Sequence, residues 1–238
     1  MEELRQALDA AGIRFAQDRL ALMGRYRDML LEWNARMDLT NVSEQDTVRR
    51  HFLDSLLPLG EKELFPQGAR IIDVGSGAGF PGLPLAIARP DLKLTLLEAQ
   101  GKRCGFLTAV KDALGLENVE ILHARAEMAG QDGRYREQFD RATARAVAPL
   151  NLLCEYLLPF VKVGGAAVCW KGPGVREETE DGEAAAKLLG GGIERIADVG
   201  PDDTRHTLAV IRKWEKTVPQ YPRKNGIPAK RPLKKMKT

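Results

Sequence analysis

The chain has 238 residues, 44% apolar and 29% charged, with a formal net charge of +3. That length suits one large domain with a small extension, and no run of 18 apolar residues offers a membrane span. The three cysteines, Cys104, Cys154 and Cys169, lack metal-ligand spacing and read as reduced, buried thiols, so neither a disulfide framework nor a metal centre is expected.

The start, M-E-E-L-R-Q-A-L, is acidic and amphipathic and does not read as a signal peptide; the reduced thiols are those expected of a cytoplasmic protein. From there to about residue 65 the chain reads as helical. Leu4, Leu8 and Ala11 share a face. Phe15, Leu20, Leu22, Met23, Tyr26, Met29, Leu30, Trp33 and Met37 make a longer stripe, read as core. W-N-A-R-M-D-L-T-N-V then loses the period, so Asn34, Asp38, Thr40 and Asn41 read as loop. Ser43 with Asp46 can cap a further helix, V-R-R-H-F-L-D-S-L-L-P-L. Arg49, Arg50, His51, Asp54 and Ser55 lie on or near its polar side. His51 reads as structural or, beside two arginines, as part of a phosphate-facing surface.

At Arg70 the pattern changes. R-I-I-D-V-G-S-G-A-G-F-P-G is an apolar β-branched run, then Asp73, then a turn with Gly75, Gly77 and Gly79. P-G-L-P-L-A-I-A-R follows as a helix, with Pro81 and Pro84 placed for a first turn. This strand, turn and helix open a βαβ unit that holds a nucleotide-like ligand. A dinucleotide needs G-x-G-x-x-G directly after the strand, and the sixth position from Gly75 is Phe80. A carboxylate at the strand tip repels a diphosphate but suits a sulfonium such as S-adenosylmethionine. The bland alternative is a tight turn kept for packing.

L-K-L-T-L-L-E (residues 92–98) is a second strand ending in Glu98, placed to accept ribose hydroxyls. K-R-C-G-F-L-T-A-V-K-D-A-L-G-L is a helix that Gly115 ends. N-V-E-I-L-H-A-R-A-E brings Ala126 and Glu127 to the tip of a third strand, near the adenine edge. F-D-R-A-T-A-R-A-V-A-P-L (139–150) leaves Arg145 near the C-terminal end of a fourth strand. L-N-L-L-C-E-Y-L-L-P-F is a helix, and a fifth strand begins after Gly164-Gly165 and ends at Lys171. A helix, E-E-T-E-D-G-E-A-A-A-K-L-L, precedes two strands, I-E-R-I-A-D-V and R-H-T-L-A-V-I-R-K, expected to pair antiparallel.

Charge is uneven. Between Arg212 and Thr238 stand ten Lys and Arg and one acidic residue, a local +9 that leaves −6 on the rest. A mildly acidic body with a basic end predicts a polyanionic partner. With four prolines and little apolar periodicity, the tail is expected to be extended and mobile when free. The expected division is a helical cap over 1–66, a catalytic domain over 67–214 and a basic, flexible tail over 215–238.

W-N-A-R-M-D-L-T-N-V, R-H-F-L-D-S-L, D-V-G-S-G-A-G-F-P-G-L-P-L-A-I, G-K-R, A-R-A-V-A-P-L, W-K-G and R-H-T-L-A-V-I-R-K together resemble the bacterial 16S ribosomal RNA guanine-N7 methyltransferase family, also called glucose-inhibited division protein B. The resemblance covers nearly the whole chain. It implies the α/β class I methyltransferase fold, Rossmann-like, with a mostly parallel seven-stranded sheet, an antiparallel last strand and an N-terminal helical extension. It implies transfer of a methyl group from S-adenosylmethionine to N7 of a guanine in 16S RNA of the small ribosomal subunit. A monomer without metal is the separate expectation, though the sequence itself does not give the oligomeric state.

By the same resemblance Gly75 and Phe80 line the methionine side of the donor, and Asp73, Gly77 and Gly79 of the same turn are donor-binding candidates with them. Glu98, Ala99 and Gln100 lie along the ribose, and Ala126 and Glu127 along the adenine. Arg145 sits between donor and substrate as the one catalytic candidate. Arg49, Arg50, His51, Lys171, His206, Arg223, Lys224, Lys230 and Arg231 are the RNA candidates. Phe80 either stacks on a base or packs its helix. The alternatives are a methyltransferase for another RNA, a protein or a small molecule, and an RNA-binding module without activity.

Overall fold

Strands and helices alternate from Arg70 onward in the computed structural model, which describes residues 1–145, 148–199 and 206–235. Residues 146–147 of A-R-A-V-A-P-L, Arg205 of the late strand motif and residues 236–238 of the tail lie outside the described residues. The strands are β1 (Arg70–Val74), β2 (Lys93–Glu98), β3 (Val119–His123), β4 (Phe139–Arg145), β5 (Val161–Lys171), β6 (Gly191–Val199) and β7 (His206–Lys213), in the sheet order β3-β2-β1-β4-β5-β7-β6. The chain divides into two compact units, Met1–Ala69 with Ser76–His123, and Arg70–Gly75 with Ala124–Thr238.

The first unit begins with α1 (Glu2–Ala10) and α2 (Gln17–Met37). Leu20, Met23, Tyr26 and Leu30 form the buried stripe of α2, at the three- and four-residue spacing of one helix face. Contrary to the loop expected at Asn34, α2 runs on through it to Met37 and stops at Asp38, whose φ of 49° is left-handed. The Asn34 side chain accepts the Thr40 N–H at 2.8 Å and folds the exit back on the helix. Ser43 caps the next run as its spacing predicts, accepting the Asp46 N–H; such a cap contributes about 1 kcal/mol. That run comprises α3 (Glu44–Thr47), a π-helical Val48–Leu53, α4 (Asp54–Leu56) and a 3-10 end, Leu57–Gly60.

α5 (Gly82–Ala88) and α6 (Gly101–Leu114) complete this unit. Every residue of α5 is buried, and α2 packs on both α5 and α6. β2 and β3 pair in parallel, Glu98 opposite His123. Gly115 ends α6 at φ 63°, the left-handed cap the sequence predicts.

In the second unit β1 and β4 pair in parallel, as do β4 and β5. β7 runs antiparallel to both β5 and β6, so the expected antiparallel closing pair is present. α7 (Ala126–Ala129), α8 (Leu150–Leu157) and α9 (Thr179–Leu188) complete the main layers, with α8 packed on β4, β5 and α9.

β5 starts three residues before the glycine pair expected to precede it. Gly164 has φ 85°, and the register between β4 and β5 shifts between Phe139 and Arg141. A Cβ on Gly165 would stand 2.7 Å from the Asp140 carbonyl oxygen. The glycines therefore mark an irregularity inside the strand, a place where only a bare backbone fits, and not a turn before it.

The tail departs most from expectation. Instead of an extended arm, residues 214–235 pack on the second unit and include a short helix, α10 (Ile227–Lys230). Thr217, Pro222 and Pro228 are buried. The physical reason is a set of partners presented by the body that composition alone does not show. Glu137 accepts the Thr217 N–H at 2.8 Å, and Arg136 donates to the Thr217 and Tyr221 carbonyls at 2.7 Å each.

Candidate functional site

In the first unit the chain after Gly75 turns sharply before α5. Gly77 and Gly79 have φ of 58° and 98°, a region that L side chains enter only under strain. Gly79 also lacks room, since a Cβ there would meet Leu83 Cδ1 at 2.4 Å and the Tyr26 hydroxyl at 2.9 Å. The Ser76 carbonyl closes the turn by accepting the N–H groups of Gly79 and Phe80 at 2.7 and 3.2 Å.

Glu98 ties this turn to the end of β2. Its side chain is 5% exposed. Oε2 accepts the Gly77 N–H at 2.9 Å and Oε1 accepts the Gln100 N–H at 2.8 Å. Each oxygen keeps a second lone pair. Gln100 is the residue before α6, and the neighbouring Ala99 carbonyl lies 3.1 Å from His123 Nε2.

Tyr26, which the sequence offers only as core, donates its hydroxyl to the Ala78 carbonyl inside the turn. Its ring stacks on Phe80 at 5.2 Å, and the His51 ring stacks on Phe80 at 4.5 Å. Phe52 meets Phe80 edge-on at 5.3 Å. Phe80 is thus 4% exposed within a protein aromatic cluster, the packing alternative of the two readings its place in the sequence allows. His51 is corrected as an RNA candidate. It is buried, with Nε2 2.7 Å from the Thr40 hydroxyl, and Asp54 and Ser55 are buried with it, so of the five residues expected on the polar side Arg49 and Arg50 are the exposed ones.

In the second unit Asp73 is 1% exposed. It stands opposite Thr143 in the β1–β4 register, and its Oδ1 accepts the Thr143 hydroxyl at 2.8 Å. Gly75, two residues on, is exposed with φ 70°. Arg145 ends β4 half-buried, as its place in the sequence implies. Ala126 and Glu127 open α7 rather than ending β3, which stops at His123. Glu127 is buried, and its Oε1 accepts the Gly226 N–H at 3.0 Å.

Two expected RNA cations are held inside the fold. Lys171 donates to the Ala148 carbonyl and pairs with Glu178, both at 2.8 Å. Arg223 forms a fork with the buried Glu155, Nε to Oε1 at 2.9 Å and Nη2 to Oε2 at 2.6 Å. Lys224, Lys230 and Arg231 are exposed. His206 opens β7, and its side chain is outside the described residues.

The thiols are unsuited to nucleophilic work. Burial pushes Cys169 up to about 12 and Cys154 well above its usual value, and only a thiolate attacks. Among the described residues no group of three His, Cys, Asp or Glu could hold a metal, and no helix is long and apolar enough to cross a membrane.

Sequence reasoning missed the roles of Tyr26, Thr143 and Glu155. Two of the three carried a signal. Thr143 is the one hydroxyl in F-D-R-A-T-A-R, and Glu155 is the one charge in L-N-L-L-C-E-Y-L; a lone polar group on a buried element needs a partner.

Residues 19–207 match the family model described as rRNA small subunit methyltransferase G. A curated relative from Alkaliphilus metalliredigens, named Ribosomal RNA small subunit methyltransferase G, is 45% identical over 234 residues, covering 97% of this chain and 98% of its own. One of the same name from Moorella thermoacetica is 43% identical over 226 residues, covering 93% of each. Among solved structures, a mutant of MtNAS in complex with S-adenosylmethionine aligns with TM-score 0.55 at 17% identity, over 83% of this chain and 76% of that one. That is a likeness of fold.

Proposed function

The chain belongs to the rRNA small subunit methyltransferase G family, and from that premise we propose that it transfers a methyl group from S-adenosylmethionine to N7 of a guanine in 16S ribosomal RNA. The observation that carries the donor assignment is the Glu98 carboxylate braced on Gly77 and Gln100. It is an acceptor pair of the type a ribose diol needs, set at a turn that the positive-φ Gly77 and Gly79 leave without side chains.

The residues present fit the donor. Glu98 has a lone pair left on each oxygen. Glu127 Oε2 takes no hydrogen bond from any described residue, since the Gly226 N–H goes to Oε1. Asp73 brings a carboxylate to the strand tip, in favour of a sulfonium. In this account Gly75, Gly77 and Gly79 let the methionine portion approach the backbone, Glu98 with Ala99 and Gln100 takes the ribose, and Ala126 with Glu127 takes the adenine.

S-adenosylmethionine supplies an electrophilic methyl on a sulfonium; as the N7–carbon bond forms, the carbon–sulfur bond breaks, sulfur keeps the electron pair, and the positive charge passes to the guanine ring. N7 already carries an in-plane lone pair, so no residue must remove a proton and the chemistry requires no nucleophile–base pair. The protein's task is alignment and exclusion of water, which supplies about 7–11 kcal/mol in well-oriented systems. Arg145 grips the guanine O6 or a phosphate. The base is presented unpaired or flipped out, since sequence-specific RNA recognition favours splayed bases. Arg49, Arg50, Lys224, Lys230 and Arg231 contribute phosphate affinity, and the enzyme acts on the ribosomal RNA in the cytoplasm.

The test is incubation with methyl-labelled donor and, in parallel, 16S RNA, small subunits, total protein and small metabolites, followed by nucleoside mapping. Label as 7-methylguanine at one 16S position is the expected result. Label in protein or metabolites, or at another base atom, overturns it.

A further inference from the structure

Composition assigns the basic C-terminal segment to RNA alone, yet in the structure it reaches a residue assigned to the donor. Gly226, at φ 77°, gives its N–H to Glu127 Oε1 at 3.0 Å. Four anchors hold the segment around that bond. Glu155, fully buried, receives the Arg223 backbone N–H at 2.8 Å besides the guanidinium fork. Gln131 donates to the Pro219 and Pro222 carbonyls at 3.1 and 2.8 Å. Pro222 packs so closely on Gly130, at the end of α7, that a Cβ there would lie 2.9 Å from its Cγ. Farther on, Asn151 donates to the Leu233 carbonyl at 2.6 Å.

We propose that residues 217–235 form a strap that sets the adenine end of the donor site, with Arg223 and Glu155 as the positioning pair and the Gly226 N–H as the donor that fixes the Glu127 carboxylate. A glutamate has three soft side-chain torsions. A backbone donor held on Oε1 removes most of that freedom and leaves Oε2 as the oxygen not taken by any described residue. A fixed carboxylate oxygen is a specific acceptor for the 6-amino group of adenine. The anchor is strong because Glu155 has no solvent to fall back on. Its charge is matched by the planar fork of arginine, which lysine does not reproduce.

The inference rests on the placement of Glu127 at the adenine, so its test separates the two. S-adenosylhomocysteine and its inosine counterpart, which carries an oxo group where adenine has its amino group, are titrated into the full-length protein by calorimetry without RNA. The wild type is expected to prefer the adenine form by about tenfold, the value of one hydrogen bond to a charged acceptor. Arg223→Leu with Glu155→Leu removes both charges together, so no orphan charge unfolds the protein. The double variant is expected to keep its fold by circular dichroism and to bring the preference to within about twofold.

Glu127→Ala is the control. If it flattens the preference and the double variant does not, the strap is a structural or RNA-binding element only and the inference fails. If Glu127→Ala leaves the preference unchanged, the adenine placement fails and takes the inference with it. A strap that merely stabilises the fold would weaken both ligands alike, and that result too overturns the inference.

Discussion

Glu98 Oε2 accepts the Gly77 N–H at 2.9 Å. The carboxylate that ends the second strand and the turn that follows the first are thereby one piece of structure, and a ligand held by either senses both. Glu98→Gln keeps the volume and one acceptor but points an amide N–H₂ at one of two backbone donors. Donor binding by calorimetry is expected to weaken by at least about tenfold, the value of a charged hydrogen bond, with the fold retained by circular dichroism. Unchanged affinity would remove Glu98 from the site.

Much of this arrangement is legible in the sequence because its determinants are local. Three glycines, two prolines and a strand-ending acid fix the turn without tertiary information, and β1 with α5 follows. What is not legible depends on partners distant in sequence. Nothing near Arg223 announces that a buried glutamate 68 residues earlier will hold it, so a proline-rich basic stretch reads as a free arm. Phe80 reads equally as a stacking platform or as packing until Tyr26 and His51 are seen against its ring. Gly164 and Gly165 read as a turn because a bulged strand and a turn use the same residue for the same reason.

Lys213 carries a pH signature. Its ammonium is fully buried, donating to the Leu158 carbonyl at 2.7 Å and to the Thr217 hydroxyl, and burial lowers its pKa from 10.5 to about 8 against the opposing pull of Glu137. Between pH 8 and 10.5 the unfolded chain holds a proton on this group that the folded chain has released. Stability therefore rises with pH across that window, by up to about 3 kcal/mol from this group. Denaturant melts of wild type and Lys213→Met at pH 7.5 and 10 check it. The wild type should gain on the variant as pH rises, and parallel behaviour would contradict the assignment.

Lys224, Lys230 and Arg231 are exposed cations of the strap, as are Lys234 and the Glu180-paired Lys235. Replacing the first three with alanine should lower RNA affinity and flatten the slope of log affinity against log salt by about 2, near 0.7 for each single-strand phosphate no longer neutralised. Donor affinity measured without RNA should stay as in the wild type. An unchanged slope would place the RNA elsewhere.

Asp73, next to last in β1, selects a cationic methyl donor by its charge in the proposed site. Asp73→Asn tests it most directly, because asparagine keeps the shape and can still accept the Thr143 hydroxyl now bound at 2.8 Å while the charge is gone. Affinities of S-adenosylmethionine, a sulfonium, and S-adenosylhomocysteine, a neutral thioether, are measured on wild type and variant. The variant is expected to lose about tenfold more affinity for the sulfonium than for the thioether, the scale of one screened charge pair. Equal losses for the two ligands, or none, would contradict it.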